Sequence, residues 1–207
     1  MIYATLVLFA TLAASKVYRS VGESDGGVKI VGGTLAVDGE FPYYTVSADD
    51  ILCGGSLIHP DIVMTAAHCY GAFTDGLAIG ALDRDSANDG EERAVVEEVP
   101  HPAYNGLTYE NDIMLLKLAS PSTKATVLWN TDPTEPWDND LVTAIGMGTT
   151  SEGGSVSPQL LKVNVKIIDH DTCEATYTSY DYQIFEDAMI CAGVPSGGKD
   201  TCQVRHI

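Results

Sequence analysis

His68 stands in the run Met64-Thr65-Ala66-Ala67-His68-Cys69. A histidine that takes a proton from a hydroxyl needs a fixed ring, a dry wall on one side and a cleft on the other. The small residues ahead of His68 let the backbone turn sharply, and Cys69 behind it can tie that turn to Cys53. Asp112 opens the apolar segment Ile113-Met114-Leu115-Leu116-Lys117-Leu118. A carboxylate at the head of such a strand is partly buried, and a buried carboxylate needs a donor. The imidazole N–H of His68 is such a donor. Other histidines read more plainly: His59 and His170 as turn or surface residues, and His101 in His101-Pro102-Ala103-Tyr104-Asn105 as loop structure.

The elements that position these residues read as short strands. Apolar runs alternate with turn clusters at spacings typical of sandwiches and barrels. Strands are predicted at Tyr43–Ser47, Cys53–Ile58, Ile62–Thr65, Gly76–Ile79, Arg93–Val99 and Ile113–Leu118, then at Leu141–Gly146, Leu160–Ile168 and Met189–Ala192. Asp169 or Asp171 can cap a short helix running toward Tyr177, since a carboxylate satisfies free N-terminal amides. The acidic, proline-containing stretch Thr131–Asp140 reads as a connector between two halves.

Composition sets the outer bounds. A chain of 207 residues holds one large all-β domain or two small ones. Its net charge of −18 argues against nucleic acid as a partner, because phosphate binding needs a basic face. Residues 1–15 are apolar, uncharged apart from the terminal amine, too short to span a bilayer, and end in small residues, as a secretory signal peptide does. No other stretch is apolar enough for a membrane span. Residues 16–29 are a polar, Gly-rich leader in which Lys29 precedes Ile30-Val31-Gly32-Gly33, a good site for protease cutting. The cysteines are Cys53, Cys69, Cys173, Cys191 and Cys202, an odd number that leaves one over when a secreted chain pairs them. No Cys-x-x-Cys or His/Cys cluster at zinc spacing occurs, so neither a metal nor a cofactor is expected.

Taken together, Ile30-Val31-Gly32-Gly33, Cys53-Gly54-Gly55-Ser56-Leu57-Ile58, Thr65-Ala66-Ala67-His68-Cys69, Asn111-Asp112-Ile113-Met114-Leu115, Met189-Ile190-Cys191-Ala192-Gly193 and Gly198-Lys199-Asp200-Thr201-Cys202-Gln203 resemble the trypsin/chymotrypsin family of serine proteases. The resemblance implies an all-β fold of two antiparallel Greek-key six-stranded barrels, the second incomplete. It implies a signal peptide over 1–15, an activation propeptide over 16–29 and a protease domain over 30–207. Cutting between Lys29 and Ile30 then converts a zymogen, and an activating protease is a partner. His68 becomes the general base and Asp112 the group that orients it. Asp200 falls at the floor of the specificity pocket, where a fixed negative charge selects Lys or Arg in protein or peptide substrates. Thr201 lines that pocket where serine is usual. Bridges Cys53–Cys69 and Cys173–Cys191 are implied, with Cys202 unpaired. Met147 departs from the pattern at a position where tryptophan is common.

After Gln203 the family pattern continues as Gly-Asp-Ser-Gly-Gly-Pro, whereas this sequence reads Val204-Arg205-His206-Ile207. The 207-residue chain is therefore expected to lack the nucleophilic serine and oxyanion hole, to hydrolyse no peptide bond, and to have an open, less stable second barrel. Because Gln can be encoded by CAG and every valine codon begins with GT, the last four residues are expected to be translated intron, with a real truncation or a frameshift as alternatives. Sequencing the transcript decides among them. The other function class is a non-catalytic protease homologue acting as a binding or inhibitor protein. Such a decoy has little reason to retain His68, Asp112, Asp200 and the Lys29–Ile30 cut site together.

Overall fold

A computed structural model describes residues 33–48, 53–85, 89–128, 130–132, 138–148, 156–178 and 182–194. The predicted leader, Lys29, Ile30, Asp200, Thr201 and Cys202 lie outside these, as does part of the predicted connector.

Among the described residues, eleven strands and one α-helix follow one another along the chain. The strands are β1 (Thr34–Leu35), β2 (Tyr44–Ser47), β3 (Gly54–His59), β4 (Ile62–Thr65), β5 (Leu77–Ile79), β6 (Glu91–Arg93), β7 (Val95–Pro100), β8 (Met114–Leu118), β9 (Leu141–Gly146), β10 (Leu161–Ile168) and β11 (Cys191–Gly193). Helix α1 spans His170–Thr178, and a short 3-10 turn, Ala67–Cys69, carries His68.

The first sheet has the antiparallel order β6-β5-β2-β3-β4-β8-β7. Its two outermost members, β6 and β7, are consecutive in the chain and separated only by Ala94. Strands at opposite edges of one sheet can be joined so closely only if the sheet curls until its edges meet. Counting the bent β6–β7 ribbon once, this is a six-stranded barrel. Register shifts between Leu57 and His59 and between Val95 and Glu97 mark bulges, which increase local bend and twist. The predicted single strand Arg93–Val99 is thus two strands around a corner.

The alternation of side chains does the packing. On β8, Met114, Leu116 and Leu118 point inward while Leu115 is exposed, the period-2 pattern of a half-buried strand. They meet Leu57, Val63, Phe73, Leu77 and Ile79 in the core of the first barrel. Gly55 is required where β3 crosses this core: a Cβ there falls 2.8 Å from the Met64 carbonyl oxygen and 2.9 Å from Val63.

The second sheet centres on β10, which pairs with β9 along one edge and with β1 and β11 along the other. Leu161, Val163, Val165 and Ile167 of β10 are buried, with Ala144 and Ala192 beside them. Among the described residues this unit is a four-stranded sheet. The halves join through Tyr44 and Val46 of β2 with Ala81, Met147 and Leu160. Burial pushes the Tyr44 hydroxyl well above its ordinary range, although a hydrogen bond with the Met147 backbone works against that shift. Strand β1 crosses from the first half to pair with β10, and Lys162 reaches back to Glu40 at 2.5 Å. Met147 therefore serves as buried packing at this junction.

Of the two candidate caps for α1, Asp169 is the one used: its Oδ1 accepts from the Thr172 backbone N–H at 2.9 Å. Bonds from Thr172 hold the carboxyl below its usual range. A lowered folded-state value means the contribution is fully present above the ordinary Asp value of 3.8 and is lost as pH falls through the lowered value. Asp169→Ala is expected to speed Thr172 amide exchange roughly three- to tenfold at neutral pH, the factor for one lost cap. The difference between parent and variant should vanish in strong acid. A difference that persists there sinks the assignment.

Candidate active site

Strand β4 ends at Thr65, whose Oγ1 donates to the Gly54 carbonyl at 2.7 Å and so pins the end of β4 to the start of β3. Ala66 remains extended (φ −82°, ψ 147°) before the 3-10 turn begins. Ala66 and Ala67 are both buried in the barrel core, where a larger residue has no room to turn. Cys69 closes the turn through its disulfide with Cys53, their Cα atoms 6.1 Å apart. The Cys53 backbone is itself held by Ser47 Oγ at 3.0 Å. Two sulfurs thus lie beside the His68 imidazole, a grouping that resembles a metal site. With both sulfurs in a disulfide, no thiolate is left to ligate an ion.

Asp112 comes to the same place from the head of β8, 44 residues further along. Its side chain is 1% exposed. One oxygen, Oδ1, accepts from the backbone N–H of His68 at 2.8 Å; the other, Oδ2, lies 2.6 Å from His68 Nδ1. A carboxylate only accepts, so the proton of this second bond sits on Nδ1. In a neutral ring Nε2 then carries a lone pair. The side chain of His68 remains 35% exposed, so that lone pair has access to solvent or to a ligand. A general base needs this combination of a fixed tautomer, a fixed ring and an open acceptor.

Two tyrosines complete the surroundings. Tyr104 packs against the barrel core, and burial, then the Asp112 negative charge, push its hydroxyl upward. The Tyr109 ring stands edge-to-face with His68, centroids 6.1 Å apart and planes at 77°. Tyr109 and Asn111 both have φ of +57°. Asn tolerates that region, whereas for a bulky Tyr it is a true outlier of order 1–3 kcal/mol. Sequence alone carries no sign of this contact: nothing in Leu107-Thr108-Tyr109-Glu110 marks a left-handed residue.

The other described histidines are engaged elsewhere. His59 Nδ1 lies 2.6 Å from Asp61 Oδ1, and Lys117, then His59, hold the Asp61 carboxyl below its usual range. His101 Nδ1 accepts from the Ala103 N–H at 3.2 Å, and His170 lies 3.9 Å from Glu174. Cys173 and Cys191 form the second disulfide, joining α1 to β11 away from the His68 turn in sequence.

A six-stranded antiparallel barrel with a buried aspartate clamping a half-open histidine has the form of one half of a chymotrypsin-like protease. The family model described as Trypsin matches residues 30–204. Trypsin-1 of Astacus astacus is 39% identical over 191 residues, covering 84% of this chain and 78% of its own length. Anionic trypsin of Canis lupus familiaris is 36% identical over 188 residues, covering 87% of this chain and 73% of its own. A bacterial trypsin, from Saccharopolyspora erythraea, is 36% identical over 180 residues, covering 84% of this chain and 78% of its own. The chain belongs to the trypsin family. Among the described residues no helix is long and apolar enough to cross a membrane.

Proposed function

We propose that this protein is a secreted trypsin-like serine endopeptidase that cleaves after Lys and Arg, made as a zymogen and activated between Lys29 and Ile30. The observation that carries the reading is the double hydrogen bond from His68 to buried Asp112. With its proton fixed on Nδ1, His68 presents Nε2 to take a proton from a hydroxyl nucleophile and return it to the leaving amine. Asp112 keeps the ring in that tautomer and stabilises the imidazolium formed between the two transfers. These roles are the general ones of this same family. Asp200 supplies the charge that selects a cationic substrate side chain, and Thr201 lines the same pocket. The two disulfides suit an oxidising, extracellular compartment. In the family pattern the nucleophile follows Gln203, so we further propose that a polypeptide of only these 207 residues has no hydrolytic activity.

Two arms test this. The 207-residue polypeptide, cut at Lys29–Ile30, is expected to turn over no Lys or Arg ester. The same polypeptide continued beyond Gln203 with the corresponding segment of the Astacus trypsin is expected to hydrolyse those esters and to react with a serine-directed phosphonate. In that extended form, His68→Ala should lower kcat roughly 10⁴- to 10⁶-fold, the range for this catalytic constellation. Turnover by the first polypeptide overturns the proposed inactivity. An inert extended form that is folded and correctly cut favours the binding-protein reading.

A further inference from the structure

We infer that Tyr109 is a positioning residue for His68: the left-handed turn at 109 sets an aromatic ring edge-to-face against the imidazole. The inference rests on reading His68 as a base. It adds a second contact that holds the ring besides the one with Asp112.

Asp112 fixes His68 only along the edge that carries Nδ1 and the backbone N–H. The rest of the ring projects from a three-residue 3-10 turn and is 35% exposed, so outward swing about the Cα–Cβ bond has to be resisted from elsewhere. The Tyr109 ring, at 6.1 Å and 77°, meets the imidazole in one of the favoured aromatic geometries. Its placement is not the default for this chain. A tyrosine at φ +57° is held against its own preference, which persists only when surrounding bonds over-determine it. Here they do. The Tyr109 N–H donates to the Asn105 carbonyl at 2.8 Å, and the Asn105 N–H donates to the Glu110 carbonyl at 3.0 Å. Asn111 Nδ2 donates to the Ala103 carbonyl at 3.2 Å, and the Ile113 N–H to the Asn111 carbonyl at 2.8 Å. A loop tied at both ends leads directly into Asp112, so one short segment delivers both the acceptor for Nδ1 and the ring beside it.

The test uses the full chain with ¹⁵N-labelled histidine and reads exchange of the His68 Nδ1 proton with water by NMR. Tyr109→Gly removes the ring while suiting the left-handed backbone, so the loop retains its path. Tyr109→Phe keeps the ring and loses the hydroxyl. The expected result is exchange about two- to tenfold faster in the Gly variant, the factor for one lost aromatic contact, and within about twofold of the parent in the Phe variant. The exchange rate of the His68 backbone amide, which also donates to Asp112, should stay unchanged in both. Unchanged Nδ1 exchange in the Gly variant overturns the proposal. So does equal loss in the Phe variant, which transfers the effect to the hydroxyl, or a matching rise at the backbone amide, which makes it a general loosening of the turn. No turnover is measured, so the outcome stands apart from whether the chain hydrolyses peptides.

Discussion

Phe73→Ala is expected to lower the free energy of unfolding by about 3–5 kcal/mol. Phe73 is 1% exposed and is one of the largest side chains to be so fully enclosed. Its ring lies in the same cluster as Leu57, Leu77, Met114 and Leu116 and as Ala66, Ala67 and Cys69 of the histidine turn. Removing it takes away transfer free energy and leaves a cavity that a sheet-walled barrel collapses into only in part. Against a total of roughly 5–15 kcal/mol for an ordinary domain, the loss reaches a large fraction of the whole. Urea unfolding followed by tyrosine fluorescence measures it. Leu107→Ala, at a residue 93% exposed, is the control and should shift stability by less than about 0.5 kcal/mol. A Phe73 variant losing under about 1 kcal/mol shows that this cluster is not the packed core of the barrel.

Alternation makes part of this fold legible in the sequence. Ile113–Leu118 and Leu160–Ile168 read as half-buried strands because their inward residues are Leu, Met, Val and Ile at every second position, and they fold as β8 and β10. The corner at Ala94 is not legible in that way. Glu91-Glu92-Arg93-Ala94-Val95-Val96 contains no Gly or Pro, and the break between β6 and β7 follows from barrel closure, a property of the whole sheet. Strand β1 escapes a reading of the sequence for a related reason: two residues have no periodicity, and Thr34 and Leu35 become a strand only because β10 offers its edge. The ambiguity between Asp169 and Asp171 is one of register, and only the Thr172 hydrogen bond resolves it. At the site, local context and family resemblance point to His68 and Asp112, since no spacing rule brings together residues 44 apart. Tyr109 is invisible in the sequence because its significance lies in a backbone angle, and side-chain chemistry gives no hint of that.

Asp112→Asn is expected to move the His68 proton from Nδ1 to Nε2 in more than about eight molecules of ten, the share set by a penalty of about 1 kcal/mol or more. Asp112 accepts twice, from the His68 backbone N–H at 2.8 Å and at Nδ1 at 2.6 Å. An amide of the same shape offers one acceptor and one donor group. The backbone N–H of the 3-10 turn cannot change roles, so the carbonyl oxygen of Asn has to face it. The NH₂ group then faces Nδ1, which must give up its proton and accept. With the amide reversed, two donors meet in a place where the carboxylate was 1% exposed, at a cost of about 1–3 kcal/mol for the unsatisfied group. That penalty is a factor of roughly five to 150 in favour of the first arrangement. The fold survives, because the replacement is isosteric and keeps both contacts. The chemistry does not, because Nε2 now points an N–H into the open side and has no lone pair to receive a hydroxyl proton. In a nucleophile-bearing form of the protein this corresponds to a fall in kcat of about 10⁴-fold, the size characteristic of this same family. Nitrogen chemical shifts and ring couplings of ¹⁵N-labelled His68 report the tautomer directly. If the Asn variant retains its proton on Nδ1, then Asp112 does not set the state of His68, and the double hydrogen bond is structural support alone.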